Sequence, residues 1–284
     1  VIPASFDYIA PSTVEEAMAA LDEAGEDAKV LAGGQSLLPV LRMRLADPRL
    51  VVDLGRIPEL RGVRQEGGSL VIGSMTSHHE ILGDPLIRAH ARLLALATRT
   101  VADPQVRHRG TFGGSLAHAD PAGDLPAPAL ALNADMVIAG PSGRRVVPAS
   151  EFFVDYFTTA LQANELLVEV RMPHWTEWSA HYEKFNRVAQ AWSVVGVAAA
   201  VRTDDGAIAE ARVGLTNMGP TPVRAAGVER ALIGKPATSE AIREAARHAA
   251  EGTSPSSDAS ADVDYRQHLA EVLTGRAVAT AVGV

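Results

Sequence analysis

A short apolar run, Lys29-Val30-Leu31-Ala32, leads straight into Gly33-Gly34-Gln35-Ser36 and then into Leu37-Leu38-Pro39. This order of extended run, paired glycines, small polar residues and helical turn constrains the chain more than any other stretch. Paired glycines let the backbone take φ > 0 and leave no Cβ between the main chain and a ligand. Successive N–H groups in such a turn point into one concavity, which suits a phosphate or pyrophosphate. Taken alone, a Gly-Gly pair is an ordinary turn.

A second stretch of the same texture lies at 102–124. In it Thr111, Gly113, Gly114 and Ser115 combine backbone donors with small hydroxyls, and Arg107 and Arg109 bring cations to the same loop. Asp124 is a carboxylate that should avoid phosphates and suits the hydroxyls of a ribose or sugar alcohol. Neither stretch is the GxxxxGK[ST] phosphate loop or the GxGxxG of the classical dinucleotide fold. Two such loops, each after an apolar run, point to a split site holding the two halves of a dinucleotide.

Around these loops the periodicity predicts alternating α and β elements. Ser12 caps a helix with Glu15 completing a capping box. Val14, Ala17, Met18 and Leu21 form its buried stripe, and Gly25 ends it. Strands are expected at 29–32 and 50–54 with a helix through 36–45, and 55–62 reads as a linker. Strands near 63 and 70–73 precede helices capped by Ser77 and by Asp84-Pro85, the latter with Leu86, His90, Leu93, Leu94 and Ala97 at helical spacing. Strands follow at 136–139, 145–147 and 166–172. Beyond Pro173, residues 182–187, 193–201 and 208–216 read as strands with a turn at Asp204-Asp205-Gly206. Helices at 224–233, 239–251 and 262–275 finish the chain, and the Ser/Pro/Asp-rich 252–260 stretch reads as disordered.

Composition removes several function classes. The 284 residues are 47% hydrophobic and 21% charged, a soluble globular balance with a sizeable core. A net charge of −8 without a basic tail argues against nucleic acid or an anionic membrane as partner. Cysteine is absent, so this chain has no disulfide, thiol nucleophile, thiolate zinc site or iron–sulfur ligand. No apolar run approaches the ~20 residues of a membrane span. Residues 1–7 lack the features of a secretory signal, and the expected location is cytoplasmic. The nine histidines form no HExxH, and no metal site is expected. Ser36 and Ser115 lack a nucleophile elbow. Trp175, Trp178 and Trp192 read as packing or interface residues, and no catalytic side chain is identified.

The residues 32–39 resemble the first FAD loop of the flavoprotein (medium) subunits of molybdenum hydroxylases, a family that includes aerobic carbon monoxide dehydrogenase and xanthine dehydrogenase. Arg109-Gly110-Thr111-Phe112-Gly113-Gly114-Ser115-Leu116-Ala117-His118-Ala119-Asp120-Pro121 resembles the second. The stretches 214–225 and 264–269 are similar to motifs of the family's C-terminal domain, so the resemblance runs end to end. It implies an α+β protein with a vanillyl-alcohol-oxidase-type (PCMH) FAD-binding fold of two α/β subdomains, then a domain of antiparallel sheet plus helices. The expected division is 1–175 (subdomains about 1–55 and 56–175) and 176–284.

By position, the resemblance implies that Ala32, Gly33, Gly34, Gln35, Ser36 and Leu37 wrap the FAD pyrophosphate. Thr111, Gly113, Gly114 and Ser115 would serve the pyrophosphate and ribityl region, and Asp124 the flavin hydroxyls. Val101 and Leu167 would touch the ring system, and Lys184 would lie at its polar edge, where a cation favours the reduced form. The implied role is electron transfer from iron–sulfur clusters in a small partner subunit through FAD to oxygen, a quinone or NAD. The molybdenum–pterin centre would sit in a large subunit, within a dimer of heterotrimers. Iron–sulfur clusters need thiolates, and this cysteine-free chain cannot supply them. Carbon monoxide is the leading substrate for the complex. Gln35 weakens that assignment, because the carbon monoxide branch often has histidine there. The alternatives are a complex oxidising an N-heterocycle or aldehyde, a stand-alone flavin oxidase, and a non-redox nucleotide-binding module.

Overall fold

The computed structural model describes residues 2–284. The chain begins as a small α/β unit: β1 (Asp7–Ile9), α1 (Val14–Ala24), β2 (Ala28–Leu31), α2 (Leu37–Arg42) and β3 (Leu50–Asp53). Its strands run parallel in the order β1-β3-β2. Helix α1 buries Val14, Ala17 and Leu21 against it. The cap is Thr13 rather than Ser12: its side chain accepts from Glu16 N (3.1 Å), while Ser12 N donates to the Glu16 carboxylate (2.8 Å). The capping chemistry is as expected, moved one residue along. Gly25, at φ 58°, ends the helix.

Two 3-10 turns over residues 54–60 connect to a second unit. It comprises β4 (Val63–Glu66), β5 (Ser69–Gly73), α3 (His78–Gly83), α4 (Pro85–His90), α5 (Arg92–Thr100), α6 (Pro104–Arg109), α7 (Phe112–His118) and α8 (Pro126–Ala131). After these come β6 (Asp135–Gly140), β7 (Gly143–Pro148), α9 (Ala149–Phe152), β8 (Phe153–Asp155), β9 (Thr158–Thr159) and β10 (Leu166–Pro173). The five-stranded sheet β4-β5-β10-β6-β7 is antiparallel. Two expectations are corrected here. The single helical pattern over 86–97 breaks at Ala91 (φ −142°, ψ 48°) into α4 and α5. The glycine-rich 102–124 stretch, read as loop, holds the short helices α6 and α7.

The remainder forms β11 (Ser179–Phe185), β12 (Val195–Asp204), β13 (Ala207–Thr216) and β14 (Val223–Arg224), then α10 (Ala226–Leu232), α11 (Ser239–Ala246) and α12 (Val263–Val282). Strand β12 is the hinge of the core. Its Val195, Val197, Ala199 and Val201 face α10–α12, while Ala198 and Ala200 face the core of the five-stranded sheet. Both faces are covered, so the sequence is apolar without alternation. That is why 194–201 reads as a continuous apolar run, and why its small side chains suit two packed layers.

The 252–260 stretch is not disordered. Arg266 of α12, 1% exposed, donates to Val194 O and, at 2.7 Å, to Asp258 Oδ2. Ser254 N donates to Met218 O at 2.9 Å, and Asp258 Oδ1 accepts from Ser260 N and Ala261 N. A buried guanidinium therefore fastens an irregular segment to the start of β12. Hydrogen bonds to charged groups contribute about 1.5–3 kcal/mol each. Arg266→Met should cost about 2–3 kcal/mol in urea unfolding and expose residues 252–260 to proteolysis; a variant as stable and protease-resistant as the parent would contradict this role.

Candidate functional site

The two glycine stretches meet. A Cβ on Gly33 would overlap Arg109 O and would lie 2.6 Å from Gly110 Cα. Gly33 has no positive φ, so closeness to the second stretch is what excludes a side chain here. Gly34 is different: its φ is +76°, and a Cβ there would meet only the flexible ends of Leu38 and Leu31. One glycine admits a neighbouring backbone and the other supplies a turn.

The donors divide unequally between the two stretches. Among the described residues, no hydrogen bond within the chain uses the N–H of Gly33, Gly34, Gln35 or Ser36. The Ser36 hydroxyl, at the N-cap of α2, also makes no capping bond. Gln35 Nε2 braces the turn by donating to Gly33 O (3.1 Å). In the second stretch most N–H groups are consumed. Phe112 N donates to Thr76 O (3.0 Å), Gly113 N to Ser74 O (2.8 Å) and Gly114 N to Thr111 Oγ1 (3.2 Å). The expectation of backbone donors at 113–115 is corrected on this point: Gly113 lets α7 pack on Ser74, just after β5, and Gly114 lets it approach Ala32 of the first stretch, leaving the Thr111 and Ser115 hydroxyls as candidates for a ligand.

Beside the junction is a cleft of about 470 Å³ lined by Ala32, Thr111, Arg56, Arg61, His108 and Arg109, among others. Its carboxylates are occupied internally. Asp53 accepts from Tyr8 OH (2.6 Å) and Gly55 N (2.7 Å), and Glu80 closes the capping box at Ser77. The arginines Arg56, Arg61 and Arg109 form no ion pair among the described residues. Three arginines against the two carboxylates Asp53 and Glu80 leave the cleft's lining with an excess of positive charge in a protein whose net charge is negative. Arg107 points elsewhere than its sequence position suggested: it donates to Val101 O (2.7 Å) and Ala102 O (3.2 Å), fixing the turn after α5.

A second, buried polar cluster gathers at Asp124, apart from the lining of that cleft. Asp124, 5% exposed, accepts from Lys184 Nζ at Oδ2 (2.7 Å), and from Tyr182 OH (2.9 Å) and Ser193 Oγ (2.7 Å) at Oδ1. Lys184 Nζ also donates to Thr100 O (3.2 Å), beside Val101. Burial pushes the Asp124 carboxyl above its ordinary range, against the pull of Lys184 and the two hydroxyls. The sequence placed Asp124 and Lys184 in one site from two distant stretches, and the structure pairs them directly. Tyr182, Ser193 and Thr100 were missed, because nothing in local spacing shows that β11 and β12 lie against the 119–125 turn. Leu167 is buried in the core of the five-stranded sheet; the neighbouring Val168 O accepts from Ser74 N, whose own carbonyl holds Gly113.

The chain thus offers uncommitted N–H groups at the junction with arginines beside it, and a separate buried charged pair at Asp124 and Lys184. Residues 4–175 match the family described as the FAD binding domain in molybdopterin dehydrogenase, and residues 180–281 the CO dehydrogenase flavoprotein C-terminal domain. The chain is 43% identical over 280 residues to the carbon monoxide dehydrogenase medium chain of Hydrogenophaga pseudoflava, covering 98% of this chain and 97% of the relative. It is 36% identical to the 6-hydroxypseudooxynicotine dehydrogenase complex subunit alpha of Paenarthrobacter nicotinovorans, covering 99% and 95%. A solved carbon monoxide dehydrogenase from Hydrogenophaga pseudoflava, lacking the Mo-pyranopterin moiety of the molybdenum cofactor, superposes with a TM-score of 0.96. That comparison has 44% identity over 100% of this chain and 99% of the other.

One titratable group lies under the junction. His78, 4% exposed, packs below Gly110, and its backbone N–H donates to Gly110 O (2.9 Å). Burial, then the Arg107 cation, lower its pKa from 6.5 to about 4. The folded protein thus prefers neutral His78, a contribution fully present above pH 6.5 and lost as pH falls through 4. The shift corresponds to about 3 kcal/mol. His78→Gln should flatten the unfolding free energy between pH 7 and pH 4 relative to the parent; an unchanged pH profile would show that His78 does not carry this dependence.

Proposed function

The chain belongs to the FAD-binding medium subunits of the molybdenum hydroxylases, and from that premise we propose that it relays electrons from iron–sulfur clusters in a small partner through FAD to an external acceptor. It is an oxidoreductase subunit with FAD as its cofactor. The molybdenum–pterin centre is assigned to a large partner, the assembly to a dimer of heterotrimers, and the complex to the cytoplasm. The absence of cysteine supports that division, since clusters require thiolates. Among the described residues no helix is long and apolar enough to cross a membrane.

The observation that carries the cofactor assignment is the run of uncommitted N–H groups from Gly33 to Ser36, with the arginine-lined cleft beside it. Backbone N–H groups and guanidiniums suit a diphosphate. On this reading Ala32 to Leu37 bind the pyrophosphate through their backbone, and Thr111 and Ser115 through hydroxyls. Gly113 and Gly114 let α7 come close. Val101 and Leu167 border the ring and Lys184 its polar edge, with Asp124, expected at the flavin hydroxyls, paired to that lysine beside the flavin. FAD supplies the redox chemistry when bound; the chain binds it, orients it, excludes water and sets the charge around it. Pro173 to Ser179, between the second and third sheets, supports a division into 1–175 (subdomains 1–55 and 56–175) and 176–284.

Carbon monoxide is the proposed substrate of the complex, supported by the higher identity to the carbon monoxide dehydrogenase chain than to the 6-hydroxypseudooxynicotine dehydrogenase subunit. The assembled complex should release FAD on denaturation, with absorbance near ~450 nm, and should reduce an artificial acceptor when given carbon monoxide. Purification with partners but without flavin would refute the cofactor role. Turnover of an aldehyde or N-heterocycle, and none of carbon monoxide, would reassign the substrate alone.

A further inference from the structure

The polar cluster at Asp124 is more elaborate than joining two sheets requires. Tyr182 OH and Ser193 Oγ both donate to Oδ1, leaving Oδ2 to Lys184. The phenol has a prepared place: a Cβ on Gly196 would lie 2.5 Å from Tyr182 OH, and Thr216 Oγ1 is 3.4 Å from it. Ser193 is held from behind, because Asn217 Nδ2 donates to Ser193 O (2.8 Å). Asn217 N donates to Pro121 O (2.9 Å), tying the same residue to the turn that carries Asp124. One asparagine thus sets the distance between the Ser193 donor and the carboxylate. Lys184 spends two donors, on Asp124 and Thr100 O, and keeps a third.

We propose that Tyr182 and Ser193 are positioning residues for the flavin: by saturating one oxygen of Asp124 they hold its carboxylate charged and aimed at Lys184, so that the ring meets a balanced ion pair. This rests on the reading that Asp124 and Lys184 border the flavin. The groups facing Asp124 are Lys184 and Tyr182 from β11, Ser193 before β12 and, through the phenol, Thr216 of β13. Lys184 is the charged one among them. Removing the hydroxyls withdraws the donors that offset burial, so the carboxyl takes up a proton more readily. The lysine charge is then uncompensated, and a cation beside the ring favours its reduced form.

The test is a redox titration of the flavin in the assembled, FAD-loaded enzyme, comparing the parent with Tyr182→Phe, Ser193→Ala and the double variant at pH 6 and pH 8. The expected result is a positive shift of the midpoint in each single variant, largest in the double variant and larger at pH 6. For the double variant at pH 6 the shift is about tenfold in the reduced-to-oxidised ratio, ~30 mV for a two-electron couple. Ser193→Thr, which retains the hydroxyl, should restore the parental midpoint. Variants that retain flavin and melt lower, with midpoints unmoved, would overturn the inference and leave the cluster a structural clasp. If a variant loses its fold, the other single variant decides. Lys184→Met separates the two levels: an unmoved midpoint there refutes the underlying placement of Lys184, whereas a moved one with unmoved hydroxyl variants refutes only the positioning role.

Discussion

The backbone contact between Gly33 and Arg109–Gly110 is the constraint on which the site depends. It joins the turn after β2 to the entry of α7, two segments that belong to different sheets. Because the contact is main chain against main chain, no rotamer change can relieve an added side chain. Its consequence reaches further than local packing. With Gly33 seated, the donors at 33–36 lie next to the Thr111 hydroxyl and the arginine-lined cleft. Gly110 in turn rests on His78, whose burial depends on the same junction.

The cluster at Asp124 obeys different physics. Asp124 and Lys184 are almost wholly out of water, and a buried ion pair is weak evidence for stability because desolvation opposes the Coulomb attraction. Its hydroxyl donors and the asparagine behind them are better understood as fixing geometry and charge. On the proposed reading the uncommitted donors at 33–36 suit an anion, and the saturated pair at Asp124 suits a ring whose electronics must be set. The Asp124 cluster forms where the small apolar residues of β12 allow the β11–β14 sheet to pack against the second unit on one face and α10–α12 on the other.

Much of this was legible in the residues. Gly25, Ser77 and Asp84-Pro85 marked helix ends because caps and breakers act locally, and the strand runs at 136–139 and 166–172 followed from hydrophobic patterning. Asp124 stood out as a carboxylate in the polar 102–124 stretch, whereas Lys184 was found through the resemblance, not through spacing. What stayed hidden was non-local. Gly113 and Gly114 read as a loop because glycine lowers helix propensity, yet the close approach of Ser74 and the Thr111 cap favour a helix there. The 252–260 stretch read as disordered from composition, although Arg266 from a later helix orders it. Arg107 was read as bringing a cation to the loop by proximity in sequence, whereas its guanidinium donates to the carbonyls of residues 101 and 102.

The two glycines give the sharpest distinction between a loop that is merely turned and one that is built by its neighbour. Flavin content per protein, measured by release on denaturation from the assembled enzyme, is the direct readout for Gly33→Ala and Gly34→Ala. Gly33→Ala cannot be accommodated against a fixed backbone and should lose most of the flavin along with thermal stability. Gly34→Ala bears the strain of a positive φ, about 1 kcal/mol, and displaces only the flexible Leu38 side chain, so it should retain flavin. Full flavin in Gly33→Ala, or loss confined to Gly34→Ala, would contradict the junction as the basis of the site.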